Sequence, residues 1–159
     1  MVKVLVVYDS KTGNTEKMAD AVVDGARQVE GATVIQKGVS NASMDDMLAA
    51  DAILIGSPTY YGGMSGDIKS LLDKSSKIHG ELRGKVGGAF TSSGGTACGA
   101  ETALLAILQG MLIHGMIVQG RHDNNPYGAA AVESPDEEET ESCRELGRRV
   151  TELAARVRG

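Results

Sequence analysis

Short apolar runs alternate with helical patterns along this chain. The runs occupy residues 2–8, 32–36, 51–57, 85–91 and 116–119. They are nearly continuous rather than alternating with polar residues, which is typical of strands covered on both faces. An order of strand, helix and strand with short connections predicts a parallel sheet with right-handed crossovers.

Apolar residues at helical spacing follow most of these runs. One such pattern starts after Asn14, another follows Gly63, and a third occupies residues 100–113. The third is apolar nearly all round, which predicts either deep burial or contact with a partner subunit.

The last helix has a clear start signal. Ser134 is expected to be the N-cap, followed by Pro135 at the first helical position and Glu137 as the capping-box residue. The acidic run that follows, and the arginines near the chain end, suit the two poles of the helix dipole. We interpret these charges as a solvated face.

Five strands and four or five helices in 159 residues predict one domain over residues 1–159. The expected fold is α/β, a doubly wound five-stranded parallel sheet in three α/β/α layers. Ligands of such folds bind beyond the carboxyl ends of the strands. The loops after strands one, three and four are therefore the candidates, and residues 121–130 form the longest remaining loop.

Composition narrows the function classes. The net charge of -5 argues against a nucleic-acid binder, and no apolar run reaches the length of a membrane span. The chain start is interpreted as a strand rather than a signal peptide. Cys98 and Cys143 form no disulfide framework, and no Cys/His cluster suggests a metal site. A cytoplasmic protein is expected.

The first candidate loop follows a strand and opens a helix. Its hydroxyls, one glycine and the free N–H groups of a helix start together predict a phosphate site. The loop fits neither a Walker A nor a GxGxxG motif. An ordinary N-capped helix start is the alternative. The candidate residues are Ser10, Lys11, Thr12, Gly13, Asn14 and Thr15.

The other two loops suit a planar ligand. Adjacent rings at Tyr60 and Tyr61 can stack on an aromatic group, in a chain with only four tyrosines and one phenylalanine. The loop after strand four is rich in small and hydroxyl residues, which permit close approach to a polar ring edge. The candidates are Pro58, Thr59, Tyr60, Tyr61, Gly62, Ser92, Ser93, Gly94, Gly95, Thr96 and Ala97.

The first loop, from Val7 to Thr15, resembles the FMN-phosphate motif of flavodoxins. The stretches Gly56–Gly66, Gly87–Thr102 and Ile113–Met116 resemble the tryptophan-repressor-binding protein A group, which are flavodoxin-like NAD(P)H:quinone oxidoreductases. The segment from Pro126 to Ala129 is similar to that group as well, and short-chain flavodoxins are also similar. The resemblance covers nearly the whole chain.

This resemblance implies a flavodoxin-like fold and an FMN cofactor held by the three loops. It also implies that His114 lies near the FMN, either in the same chain or from a neighbouring subunit. Tyr60, Tyr61 and Tyr127 are expected to shape the site of a quinone-like acceptor, and no catalytic residue is assigned. The chain departs from the group at Gly95 and Ala97, where Thr and His are usual, and it is shorter.

Two other functions compete with an NAD(P)H:quinone oxidoreductase. A flavodoxin electron carrier would pass single electrons between redox protein partners, which the negative net charge suits. A phosphoacceptor signalling domain of the same topology needs an aspartate after strand three, where Ser57 stands instead. A homodimer or homotetramer is expected from the apolar helix over residues 100–113.

Overall fold

Strands β1 (Val2–Tyr8) and β3 (Ala52–Pro58) lie at the centre of a parallel sheet. They are flanked by β2 (Ala32–Gly38) and β4 (Val86–Ser93), in the order β2-β1-β3-β4. The computed structural model describes all residues from 1 to 159. These four strands confirm the corresponding apolar runs and the doubly wound order.

The fifth strand position is divided into two segments. Strand β5 (Ile117–Val118) pairs with the start of β4, whereas β6 (Ala129–Val132) pairs with its end, and both are parallel to it. The predicted single fifth strand is therefore two short ones, and part of the predicted loop over residues 121–130 is strand. Alanine is a poor strand former, so the Ala-Ala-Ala-Val sequence of β6 gives little signal.

Helices cover both faces of the sheet. Helices α1 (Asn14–Arg27) and α5 (Glu137–Arg158) lie on one face, and α2 (Met44–Ala49), α3 (Gly66–Lys74) and α4 (Ala100–Ile113) lie on the other. Four of these, α1, α3, α4 and α5, correspond to predicted helices, whereas the six-residue α2 was not predicted. None of the helices is both long and apolar enough to cross a membrane.

The start of α5 differs from the expectation. Its N-cap is Asp136, whose side chain accepts from the Glu139 amide, and Glu139 completes the capping box. The capping box predicted for Ser134 and Glu137 is wrong. Residues 134–137 and 136–139 both place an acidic residue three positions after a capping residue, and the second pair forms the box. Glu139 also accepts a hydrogen bond from the Val132 amide at the end of β6, and this contact favours Asp136 over Ser134 as the N-cap.

Strand β1 shows why four consecutive residues, from Val4 to Val7, are apolar. Val4 and Val6 point to the core beneath α1 and α5, while Leu5 and Val7 point to the core beneath α3 and α4. All four side chains are buried. Two separate hydrophobic cores therefore fix the sheet between its helical layers.

Helices α1 and α5 cross at two glycines. A Cβ added to Gly25 would lie 1.8 Å from the Arg144 carbonyl oxygen, and one added to Gly147 would lie 2.0 Å from the Val22 oxygen. Each helix therefore presents a bare backbone to the other. No larger residue fits without separating them.

Helix α4 is only half covered within one chain. Leu104, Ile107 and Met111 are buried against the sheet, but Leu112 and Ile113 are 57% and 73% exposed. The expectation of burial on most sides is thus not met by this chain alone. The other expected reason for the apolar pattern, contact with a partner subunit, stays a prediction.

Candidate functional site

The loop between β1 and α1 presents an open helix start. Gly13 is the N-cap of α1 with a φ of 94°, a left-handed conformation that favours glycine. The Ser10 hydroxyl oxygen accepts from the amides of Gly13 and Glu16, at 3.1 and 3.3 Å. The amides of Thr12, Asn14 and Thr15 make no hydrogen bond. Free N–H groups at a helix start form an anion site.

Hydroxyl groups join this loop to the ends of the neighbouring strands. The Thr15 and Ser92 hydroxyls lie 2.8 Å apart and are buried. Thr59 forms a 2.7 Å bond with the Thr91 hydroxyl, and its amide donates to the Ser92 carbonyl oxygen, also at 2.7 Å. The three loops are therefore held in fixed positions relative to one another.

The second loop ends in a tight turn that displays its two rings differently. Tyr60 and Gly63 exchange backbone hydrogen bonds of 2.9 and 3.1 Å, and both central residues, Tyr61 and Gly62, have positive φ values of 48° and 79°. Positive φ at both positions is typical of a type I′ turn. Tyr61 is fully exposed at its tip, whereas Tyr60 is partly covered.

The start of α4 holds this turn in place. The Thr102 hydroxyl donates to the Gly62 carbonyl oxygen. Gly99, with a φ of 100°, lies so close that an added Cβ would be 2.4 Å from the Gly62 Cα. The second loop and the third loop are thus in direct contact beside Tyr60.

The three loops enclose one cavity of about 300 Å³ at the carboxyl edge of the sheet. Ten of its eleven lining residues belong to the predicted cofactor set, and the eleventh is Glu133. The other predicted residues of these loops do not line it, namely Ser10, Gly13, Tyr61, Gly62, Gly95, Thr96 and Ala97. The lining residues are Lys11, Thr12, Asn14, Thr15, Pro58, Thr59, Tyr60, Ser92, Ser93, Gly94 and Glu133.

Glu133 was not predicted from the sequence as a residue of this cavity. It follows β6, has a left-handed φ of 60°, and its amide donates to the Ser93 carbonyl oxygen at 2.7 Å. Finding it would have required recognition of β6, because only that pairing brings Glu133 to the carboxyl edge.

Lys11 is the only cation that lines the cavity, and its charge is already matched. Its ammonium group lies 2.8 Å from Asp67 and 3.2 Å from Asp9. The hydrogen bond with Asp67, and then that with Asp9, raises the pKa of Lys11, and the same bond lowers the pKa of Asp67. A bound anion would therefore be held mainly by neutral donors, the amides and hydroxyls of the loop.

His114 does not reach this cavity within one chain. Helix α4 runs antiparallel to the strands, so its end lies at the amino edge of the sheet, shortly before β5. There the ring lies 2.7 Å from the Ser75 hydroxyl and 5.8 Å from the ring of His79. Burial, and then the charge of His79, lowers the pKa of His114. Contact with the cofactor of a neighbouring subunit stays a prediction.

Tyr127 lies at a different cavity from Tyr60. It borders a space of about 120 Å³ together with Glu101, Leu104 and Pro126, and it is exposed. Tyr61 lines neither space. The structure thus brings only one of the three predicted acceptor tyrosines to the cavity enclosed by the three loops.

The two thiols differ in environment. Cys98 is exposed in the third loop, whereas Cys143 is buried, and burial raises the pKa of its thiol to about 12. Cys143 is therefore an inert core residue at neutral pH.

A doubly wound sheet with an anion-binding helix start and a ring-bearing loop at its carboxyl edge defines a flavodoxin-like protein. The model of the family "NADPH-dependent FMN reductase" matches residues 36–125, which is more than half of the chain. The chain belongs to this family of FMN proteins. The FMN cofactor implied by the resemblance of the sequence to flavodoxins is confirmed by this assignment.

Individual relatives agree with this assignment. A flavodoxin of Aquifex aeolicus is 44% identical over 98% of this chain and 88% of its own length. An NAD(P)H dehydrogenase (quinone) of Nitrobacter winogradskyi is 36% identical over 100% of both chains. Among solved structures, a WrbA-like flavodoxin of Agrobacterium tumefaciens has a TM-score of 0.83 and 31% identity, with 98% of this chain and 99% of that chain covered.

Proposed function

We propose that the cavity holds FMN and that the protein transfers electrons from NAD(P)H to a quinone-like acceptor. The observation that supports this proposal is that a helix start with unpaired amides and the Tyr60 ring line the same cavity. Relatives called NAD(P)H dehydrogenase (quinone) support the reaction class. FMN, when bound, supplies the redox chemistry, and the protein supplies position and electrostatics.

The residues present fit the groups of FMN. In our proposal the unpaired amides and hydroxyls of residues 10–15 bind the phosphate. Residues 58–62 border the flavin ring, with Tyr60 along it, and residues 92–97 bind its polar edge through backbone groups. The bonds from Thr15 to Ser92 and from Thr59 to Thr91 keep these groups in place before the cofactor binds.

The acceptor site is proposed to lie beside the turn that carries Tyr60 and Tyr61. Tyr61 projects fully into solvent there, and an exposed ring can cover a planar acceptor. Tyr127 completes the proposed site from the side of α4 and borders its own small cavity.

We further propose that residues 1–159 form a single FMN-binding domain. A cytoplasmic location is proposed from its two free cysteines, since disulfides are rare in that compartment.

Rapid mixing of the FMN-loaded protein with NADH or NADPH tests the proposed reaction. We expect the flavin absorbance to bleach within seconds with at least one of the two donors, and to return when a quinone is added. The control is free FMN at the same concentration. If neither donor bleaches the bound flavin faster than free FMN, the proposed activity is wrong.

A single-electron carrier is the second candidate. It is favoured by the 44% identity to a chain called flavodoxin. A carrier would be reduced by a chemical reductant in two resolved one-electron steps and would not react directly with NAD(P)H. An oxidoreductase of the proposed kind would instead take up two electrons in one step.

We propose that the protein forms a homodimer or homotetramer through α4. Leu112 and Ile113 are exposed apolar residues at its end, and burial of such a patch favours association. Light scattering at micromolar concentration is expected to give at least twice the mass of 16.5 kDa. Ile113→Lys should reduce that mass to one chain. The matched control is Val157→Lys, which changes an exposed aliphatic residue of α5 and should leave the assembly intact.

A further inference from the structure

Lys11 lies between two carboxylates at the edge of the cofactor cavity. It is one of the residues that line that cavity, and its ammonium group is 3.2 Å from Asp9 and 2.8 Å from Asp67. Asp9 directly follows β1, whereas Asp67 belongs to the first turn of α3. The ammonium group therefore connects the loop between β1 and α1 with the helix that follows the second loop.

The two carboxylates differ in the cost of losing Lys11. The Asp9 side chain is 4% exposed, Lys11 is its only partner, and its second carboxylate oxygen makes no hydrogen bond. Removal of the ammonium group would leave a buried charge unpaired, which is strongly unfavourable. The Asp67 side chain is 59% exposed, so water solvates its carboxylate as soon as the ion pair opens. Asp67 is thus the partner that Lys11 can exchange.

A phosphate in the cavity can take the place of the Asp67 carboxylate. The loop that contains Lys11 also presents three unpaired amides to an anion. A lysine side chain is flexible and has three N–H donors, so Lys11 can keep Asp9 and donate to a phosphate at the same time. The Asp67 carboxylate and a phosphate are both negative, and their repulsion disfavours a site that holds the two together.

We propose that Asp67 competes with the FMN phosphate for Lys11 and so weakens FMN binding in the wild-type protein. This inference rests on the proposed cofactor site. When FMN binds, the Lys11 ammonium group keeps Asp9, releases Asp67 to solvent and pairs with the phosphate. Asp67 is therefore a positioning residue, because it acts on the cofactor through Lys11. It lowers the affinity for the phosphate and leaves the affinity for the flavin ring unchanged.

The test measures the dissociation constants of FMN and riboflavin at low ionic strength by quenching of flavin fluorescence. D67N keeps the shape of the side chain and removes the competing charge. FMN should bind to it about twofold to fivefold more tightly, the range expected for one exposed ion pair. Riboflavin lacks the phosphate, so its affinity should not change. Asp67→Glu restores the carboxylate and should return FMN affinity to the wild-type value.

D73N is the matched control. Asp73 lies in the same helix, its side chain is 65% exposed, and it is paired with Lys69 as Asp67 is with Lys11. This variant should leave both dissociation constants unchanged.

Two further measurements separate competition from a general effect of charge. In K11Q, which removes the ammonium group and can still donate to Asp9, D67N should change FMN affinity little. In about 1 M NaCl, where exposed charges are screened, the gain in D67N should disappear.

Four results overturn the inference. They are an FMN affinity of D67N equal to that of the wild type, an equal gain in D73N, an equal gain for riboflavin, and an undiminished gain in the K11Q background. Failure of the wild-type protein to bind FMN would overturn the proposed function and this inference together. An unaltered FMN affinity in D67N, with intact binding by the wild type, overturns the inference alone.

Discussion

Replacement of Gly25 by alanine is expected to destabilise the protein severely. The new methyl group would lie 1.8 Å from the Arg144 carbonyl oxygen, in the crossing of α1 and α5. Neither partner is a flexible side chain, so the two helices must separate and uncover the core beneath them. We expect a loss of at least about 4 kcal/mol in the free energy of unfolding, which is a large part of the stability of a domain this size. Urea denaturation followed by circular dichroism measures it.

Gly66→Ala is the matched control. Gly66 is the first residue of α3, it has no positive φ, and no atom lies within 4 Å of an added Cβ. Alanine there restricts the unfolded chain and should stabilise the protein by about 0.4–1 kcal/mol. A Gly25→Ala protein as stable as the wild type would show that the two helices do not cross as closely as the structure has them.

FMN is expected to bind on the order of a thousandfold more tightly than riboflavin, which lacks the phosphate. The amides of Thr12, Asn14 and Thr15 are free to donate to that phosphate. A hydrogen bond to a charged group contributes about 1.5–3 kcal/mol, so three of them amount to more than about 4 kcal/mol. Titration of the unloaded protein with each flavin, followed by flavin fluorescence, gives both dissociation constants.

Thr12→Val tests whether the loop between β1 and α1 binds the FMN phosphate. The substitution keeps the shape of the side chain and removes one hydroxyl donor at the cavity. FMN affinity should fall about tenfold, and riboflavin affinity should stay the same. Equal affinities of the wild type for FMN and riboflavin would mean that the phosphate binds elsewhere or not at all.

The fold was largely predictable because the central strands are buried on both faces. Residues 4–7 of β1 and 52–55 of β3 are buried and apolar at every position, so the sequence signal there is continuous. Strand β6 escaped prediction because its small residues are defined by pairing with β4, a contact distant in sequence. The start of α5 was misplaced because the local sequence allows a capping box at either Ser134 or Asp136. The contact of Glu139 with β6, which the sequence does not show, favours Asp136.

The site was predictable as far as it depends on loop position along the strands. Residues after β1, β3 and β4 meet at one edge whatever their details, which is why ten lining residues were anticipated. His114 and Glu133 show where prediction from loop position fails. The direction of α4 removes the first from the cavity, and the unseen strand β6 brings in the second.

The division of the fifth strand has a consequence for how this architecture can change in length. Residues 119–128 leave the sheet and return to the same neighbour, β4, so extra residues there need not shift the register of any strand. A segment can therefore be added or removed between β5 and β6 while the carboxyl edge of the sheet, where the cofactor cavity lies, keeps its geometry.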